Sequence, residues 1–140
     1  MSGKGKNFWG PPIWTVIHYF GYLTDLHPER RYLYLEFINS LTFLLPCIEC
    51  RKNLKSKLTS HPITPQSSTF EYSYLLHDLA NKQITPKKES PPFHHAQKVY
   101  TQGYIQGVSF WGPAVWVWTP KTNTLNISLG VYFLSMMEWW

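Results

Sequence analysis

Prolines cut this 140-residue chain into pieces of helix length, and a helical bundle is what such pieces can build. Pro11 and Pro12 suit the first turn of a helix, where a missing N–H costs nothing. That first helix runs until Leu26-His27-Pro28 breaks it. A second is expected from about Glu29 to Leu45, with Leu33, Phe37 or Ile38, Leu41 and Leu44 near helical spacing. Pro46 stops it and pushes the residue before it out of the α region, so Cys47 opens a new element. A third helix is expected over 47–58, and 59–68 reads as loop. Ser68-Thr69-Phe70-Glu71 has the form of a capping box, with a fourth helix from about Thr69 to Gln83. Thr85-Pro86 ends it, and Ser90-Pro91-Pro92 opens a short fifth helix through about Tyr100. The expected fold class is all-α: a four-helix bundle plus a short fifth helix.

Both ends read differently. Residues 1–7 look like a flexible basic arm. From about residue 107 to 140 the chain is a Trp-rich tail, irregular or a β-hairpin. Trp116-Val117-Trp118 and Leu125–Leu129 would be its strands, with Pro120–Asn123 between them. Phe110–Trp116 echoes Phe8–Trp14, but Pro120 stands where the echo would need a second His18. The echo therefore reads as a short coincidence or relic. The folded domain is expected over 8–106.

No apolar run approaches the ~20 residues of a membrane-spanning helix. Residues 1–7 are polar and basic with no apolar stretch of a secretory leader behind them, so a cytoplasmic chain without a membrane span is expected. Thirteen basic against eight acidic residues leave a charge of +5, which favours an anionic partner: a nucleic acid, a membrane surface or a phosphate-bearing cofactor. Charge alone does not choose among them. The basic residues of helix three, Arg51, Lys52, Lys55 and Lys57, read as a solvated face, and no nucleic acid is expected there.

The chemistry rests on Cys47-Ile48-Glu49-Cys50, which holds both cysteines of the chain. One pair cannot make a disulfide scaffold, and it cannot fill a tetrahedral zinc site without two more ligands. It can carry thiol–disulfide exchange. At a helix N-terminus, unpaired N–H groups and the macrodipole would stabilise a thiolate. Two other stripes attract attention. Trp14, His18 and Tyr22 lie at i, i+4 and i+8 beside an apolar stripe of Ile13, Val16, Ile17 and Phe20. Tyr74, His77, Asp78 and Asn81 share a face of helix four.

In order along the chain stand Trp-Gly-Pro-x-x-Trp-x-x-x-His (Trp9 to His18), Pro-Cys-x-x-Cys (Pro46 to Cys50) and His-x-x-x-Asn-Lys (His77 to Lys82). This order resembles the FAD-linked sulfhydryl oxidases of the Erv/ALR type, above all the short versions of large DNA viruses. The resemblance covers roughly residues 8–106. It implies a helical bundle that holds FAD, acting as a homodimer on thiol-bearing protein substrates, virion proteins or a relay thiol protein among them. It implies that Cys50 lies against the flavin and reduces it, while Cys47 exchanges with the substrate. Gly10, Trp14, His18 and Tyr22 would line the cofactor site from helix one. His77 and Asn81 would contact it from helix four, with Lys82, Lys87 and Lys88 near its pyrophosphate. No metal is implied. Asp78 departs from the pattern, which commonly has Asn there. Pro11 replaces an Arg of cellular members, and the tail has no counterpart.

Two other classes stay open on the residues themselves. A thioredoxin-like dithiol reductase would need a βαβ pattern, against which the helical periodicity argues. A zinc-bound helical interaction module would use Cys47 and Cys50 with two histidines, His77 with His94 or His95. His94-His95 by themselves read as a polar helix start.

Overall fold

The structure, a computed structural model, describes residues 4–84 and 89–102. Its first unit holds four helices, α1 (Lys4–Leu26), α2 (Arg31–Leu44), α3 (Ile48–Ser60) and α4 (Thr69–Ile84), with a 3₁₀ turn at Pro28–Arg30 before α2. The chain from Pro91 onward is a separate unit, in which a fifth helix, α5, spans 93–102. Among the described residues there is no strand. The Trp-rich tail, including the expected hairpin, lies outside them, as do Lys87 and Lys88.

The helix boundaries follow the prolines at Pro28, at Pro46 and at Pro91-Pro92. Helix α1 is the exception. It begins at Lys4, upstream of Pro11 and Pro12, so residues 4–7 of the expected arm are helical. The two prolines remove only the N–H bonds they would have made back to residues 7 and 8, and the turn ahead of them stays helical.

One apolar cluster joins all four helices: Ile17 of α1, Tyr34, Ile38 and Leu41 of α2, Leu45 just after it, Leu54 of α3, and Tyr72 and Leu76 of α4. Full burial of a side chain such as Leu76 contributes roughly 1.5–3 kcal/mol. On α2 the buried stripe is Tyr34, Ile38, Leu41 and Leu45, at i, i+4, i+7 and i+11. Of the expected stripe, Ile38 and Leu41 are buried, while its ends Leu33 and Leu44 are 47% and 71% exposed. Helix α1 is turned likewise. Val16 and Phe20 of the apolar stripe are exposed, while Ile17, His18 and Gly21 face inward.

Helices α1 and α4 approach each other closely. A Cβ added at Gly21 would come within 2.8 Å of the Thr69 carbonyl oxygen and 3.1 Å of the Phe70 Cα. Only glycine admits the α4 backbone at that range. The same junction is fastened by Asp25, whose Oδ1 accepts the Thr69 N–H and hydroxyl, both at 2.7 Å, and whose Oδ2 accepts the Phe70 N–H at 3.1 Å. These N–H groups have no partner within their own helix, so the end of α1 caps the start of α4. The expected capping box is present in half: Ser68 Oγ accepts the Glu71 N–H at 3.0 Å.

Candidate active site

Two groups of side chains carry chemistry, and both rest on the same core. The first is the cysteine pair. Leu45 leaves α2 in an extended conformation, and Cys47 is extended too, as the N-cap of α3. Cys47 Sγ accepts the Cys50 N–H at 3.2 Å, so a sulfur occupies the place of an ordinary capping oxygen. Cys47 and Cys50 are joined as a disulfide, with Cα atoms 5.1 Å apart. Arg51 Nε donates to the Leu45 carbonyl and pins the bend that presents the pair. Cys50 is half-buried against the core cluster. Cys47, read as the thiol that meets the substrate, is buried at 7% exposure. Three apolar residues near the pair in sequence are open to solvent: Phe43 at 73%, Leu44 at 71% and Ile48 at 64%.

The second group is a stack of rings between α1 and α4. Trp14 lies flat on His77, centroids 4.0 Å apart and planes 5° from parallel. His18 stacks at 5.1 Å from His77 and 5.9 Å from Trp14. His18 Nε2 and His77 Nδ1 are 2.8 Å apart, and His18 Nδ1 lies 2.8 Å from Ser73 Oγ. Both histidines are buried, so the ring stack reaches into the bundle. Trp14 is half-buried and packs on the core cluster that also holds Cys50. Burial disfavours the His18 imidazolium and pushes its pKa down to about 3.

The remaining residues singled out in the sequence fall around this stack. Tyr22 meets Phe70 edge to face, 6.2 Å between centroids. A Cβ at Gly10, one turn before Trp14, would meet no atom within 4 Å. Asn81 is buried and donates from Nδ2 to Ser90 Oγ at 3.2 Å. Lys82 Nζ sits 2.7 Å from Asp78 Oδ2. That bond, with a second from Ser90, holds the Asp78 carboxyl below its usual range against the opposing effect of burial. Asp78 is thus a paired carboxylate, and Lys82 is a half-engaged cation. Lys87 and Lys88 lie outside the described residues. Within the described residues no three His, Cys, Asp or Glu side chains are grouped as metal ligands would be. His94 and His95 are at the start of α5.

Sequence reasoning missed Ser73. It stands one turn before His77, on the buried stripe Ser73, His77 and Asn81 at i, i+4, i+8. That spacing was available in the sequence. The expected face, centred on Tyr74 and Asp78, is its half-buried neighbour.

The chain is similar to curated FAD-linked sulfhydryl oxidases of large DNA viruses. Proteins of that name from the Kenya and Malawi isolates of African swine fever virus are each 26% identical to it over 106 residues, covering 73% of this chain and 87% of theirs. A probable FAD-linked sulfhydryl oxidase of Acanthamoeba polyphaga mimivirus is 27% identical over 107 residues, 59% of this chain and 75% of its own. No family model and no solved structure matches the chain.

Proposed function

We propose that this protein is a FAD-dependent thiol oxidase that makes disulfides in protein substrates. The observation that carries the reading is the Cys47–Cys50 disulfide at the N-terminus of α3, resting on the same core as the Trp14–His77 stack. The similarity to viral proteins named for this activity and this cofactor supports it.

The residues fit a flavin dinucleotide. Its ring systems need flat apolar walls, and its pyrophosphate needs positive charge. Trp14 and His77 provide a flat pair whose half-buried member reaches the surface. Gly10 leaves the α1 backbone open beside it. Asp78, the departure from the family pattern, does not oppose an anion as a bare carboxylate would, because Lys82 and Ser90 engage it. Lys82, Lys87 and Lys88 remain our candidates for the pyrophosphate, with His18, Tyr22 and Asn81 shaping the pocket.

In the reaction, a thiolate of the substrate attacks Cys47 Sγ, and Cys50 leaves as a thiolate. A second substrate thiol then attacks the mixed disulfide, releasing the substrate as a disulfide and Cys47 as a thiolate. The Cys50 N–H and the α3 macrodipole stabilise that thiolate where it stands, which makes Cys47 a good leaving group. When bound, FAD would supply a two-electron acceptor for re-forming the Cys47–Cys50 disulfide, with dioxygen as the final acceptor and hydrogen peroxide as the product. Phe43, Leu44 and Ile48 form an apolar rim that suits an apolar segment around the substrate's thiols.

Val16 and Phe20 of α1 and Leu33 of α2 are further exposed apolar residues, with Phe20 and Phe37 meeting at 5.0 Å between the two helices. Two helices with apolar residues at 16 and 20, and at 33 and 37, suit pairing with a second copy, and we assign this face to a homodimer. The viral relatives support a setting in the cytoplasm of an infected cell and in the virion, with virion proteins as substrates. Among the described residues no helix is long and apolar enough to cross a membrane.

The test is a visible absorption spectrum of the purified protein, repeated with a dithiol under nitrogen and again in air. A flavin band that bleaches and returns is expected, and Cys50→Ser should keep the band but not bleach. A colourless protein that takes up no added FAD sinks the reading.

A further inference from the structure

We propose that the exposed face of α3 from Ile48 to Lys55 reads the polypeptide around the reacting cysteine of the substrate. It selects segments with an apolar residue beside that cysteine and an acidic residue within about four positions of it. This face would set the substrate class of the thiol oxidase described above, and the assignment rests on that reading.

Helix α3 starts directly after Cys47, and its outward side is not uniform. Ile48, Lys52, Lys55 and Thr59 stand at i, i+4, i+7 and i+11, a single stripe, and all four are exposed. The stripe begins apolar, next to Cys47, and turns cationic one turn later. The other two basic side chains of the helix are engaged elsewhere: Arg51 donates from Nε to the Leu45 carbonyl, and Lys57 donates from Nζ to Gln83 of α4. Lys52 lies 3.3 Å from Glu49 at the surface. Lys55 makes no ion pair among the described residues, so its charge is open to a partner. Glu49 is the one acid between Phe37 and Ser60, against four basic residues, so beyond its apolar start the surface is positive.

Spacing turns this surface into a sequence requirement. A helix rises 1.5 Å per residue, which puts Lys52 and Lys55 about 7 and 12 Å along α3 from Cys47. An extended segment lying on the helix advances about 3.3 Å per residue. With the substrate's cysteine at Cys47, a carboxylate about two to four residues away comes opposite the lysines, and the residue beside the cysteine meets Ile48. Two lysines, one of them already paired, are too few to track a nucleic-acid backbone, and the apolar head of the stripe favours a polypeptide. The contact is exposed throughout, so each ion pair is weak and selects among segments without anchoring them.

The test uses the full chain with its cofactor as purified and two reduced peptides. Each carries a pair of cysteines flanked by leucine. They differ only in having aspartate or lysine at the second and fourth positions on either side of the pair. Oxygen uptake gives KM for each, and fluorescence anisotropy of the same peptides with serine for cysteine gives Kd without a redox step. Both constants should be roughly tenfold lower for the aspartate peptide, which gains weak ion pairs where the lysine peptide meets like charge. The difference should shrink at high salt. Lys55→Glu should abolish or reverse it. Arg30→Glu, the same charge change at the other end of α2, should leave it in place. Replacing the leucines of the aspartate peptide by serine should raise both constants. Equal values for the two peptides, an equal effect of the two variants, or no cost of losing the leucines overturns the proposal. Preferential binding in anisotropy without oxygen uptake keeps the recognition face and loses the oxidase reading. Oxygen uptake with no preference does the reverse.

Discussion

Asp25, at the end of α1, accepts the backbone N–H of Thr69, at the start of α4, at 2.7 Å. One carboxylate on one helix thus does for another helix what a local capping residue ordinarily does. Because α1 and α4 carry the ring stack, this junction also sets the spacing of the site.

Asp25→Ala should therefore cost about 1–2 kcal/mol, the usual size of a lost N-terminal cap. Thermal unfolding should show a melting temperature lower by several degrees. Asp25→Asn, which keeps one acceptor oxygen, should fall between. Equal stability of Asp25→Ala and wild type would mean that Ser68 alone suffices as a cap.

Gly21→Ala sets two effects against each other. Replacing a helical glycine gains up to about 1 kcal/mol in helix propensity. The new methyl would meet the Thr69 carbonyl at 2.8 Å, and overpacking of that kind costs about 1–3 kcal/mol. Thr69 is held by Asp25 and cannot retreat cheaply, so the net change should be destabilising. Urea denaturation decides the sign, and a gain in midpoint would show that α4 can shift.

The buried His18 predicts sensitivity to mild acid. In the unfolded chain its imidazole takes up a proton as the pH falls through about 6.5. In the folded chain burial delays that step to about 3. The stability it contributes is complete above 6.5 and is lost progressively below, by up to about 1.4 kcal/mol per pH unit. Urea midpoints between pH 6.5 and 5, above the range of most carboxylates, should fall accordingly. His18→Gln should flatten that slope, and an equal slope in the variant would assign it to another group.

Ile48 stands between the two cysteines and is 64% exposed. Ile48→Asp should raise KM for a reduced protein substrate by roughly tenfold, about the 1.4 kcal/mol expected for losing an apolar contact and burying a charge. Turnover with a small dithiol should change far less. A parallel loss for both substrates would mean that the acidic side chain perturbs the cysteines themselves.

Several of these features are legible in the sequence and several are not. Pro28 and Pro46 mark helix ends because a proline acts through its own ring and its immediate neighbour, with no help from the fold. Cys47 at the head of α3 follows from Pro46 in the same way. Which stripe of a helix faces inward is another matter. Helix α2 carries apolar residues at 33, 37 and 44 and again at 34, 38, 41 and 45, about one residue's rotation apart. Local periodicity supports both, and packing against α1 and α3 buries the second. The same ambiguity holds for α1, where Val16 and Phe20 of the apolar stripe are exposed and His18 of the neighbouring stripe is buried, with Gly21 facing the α4 backbone.

The site divides along the same line. The sequence by itself determined the helical segments, the position of the cysteine pair at a helix start and the residue types of the ring cluster. All of these are set by covalent geometry or by spacing within one helix. Only the tertiary structure decided that Trp14 stacks on His77, that Lys82 and Ser90 occupy Asp78, and that Ser73 stands behind His18. Each of those joins groups whose partners depend on how two helices, or a helix and the chain beyond it, are turned toward each other. That rotation is fixed by the sum of many contacts, and no single residue carries it.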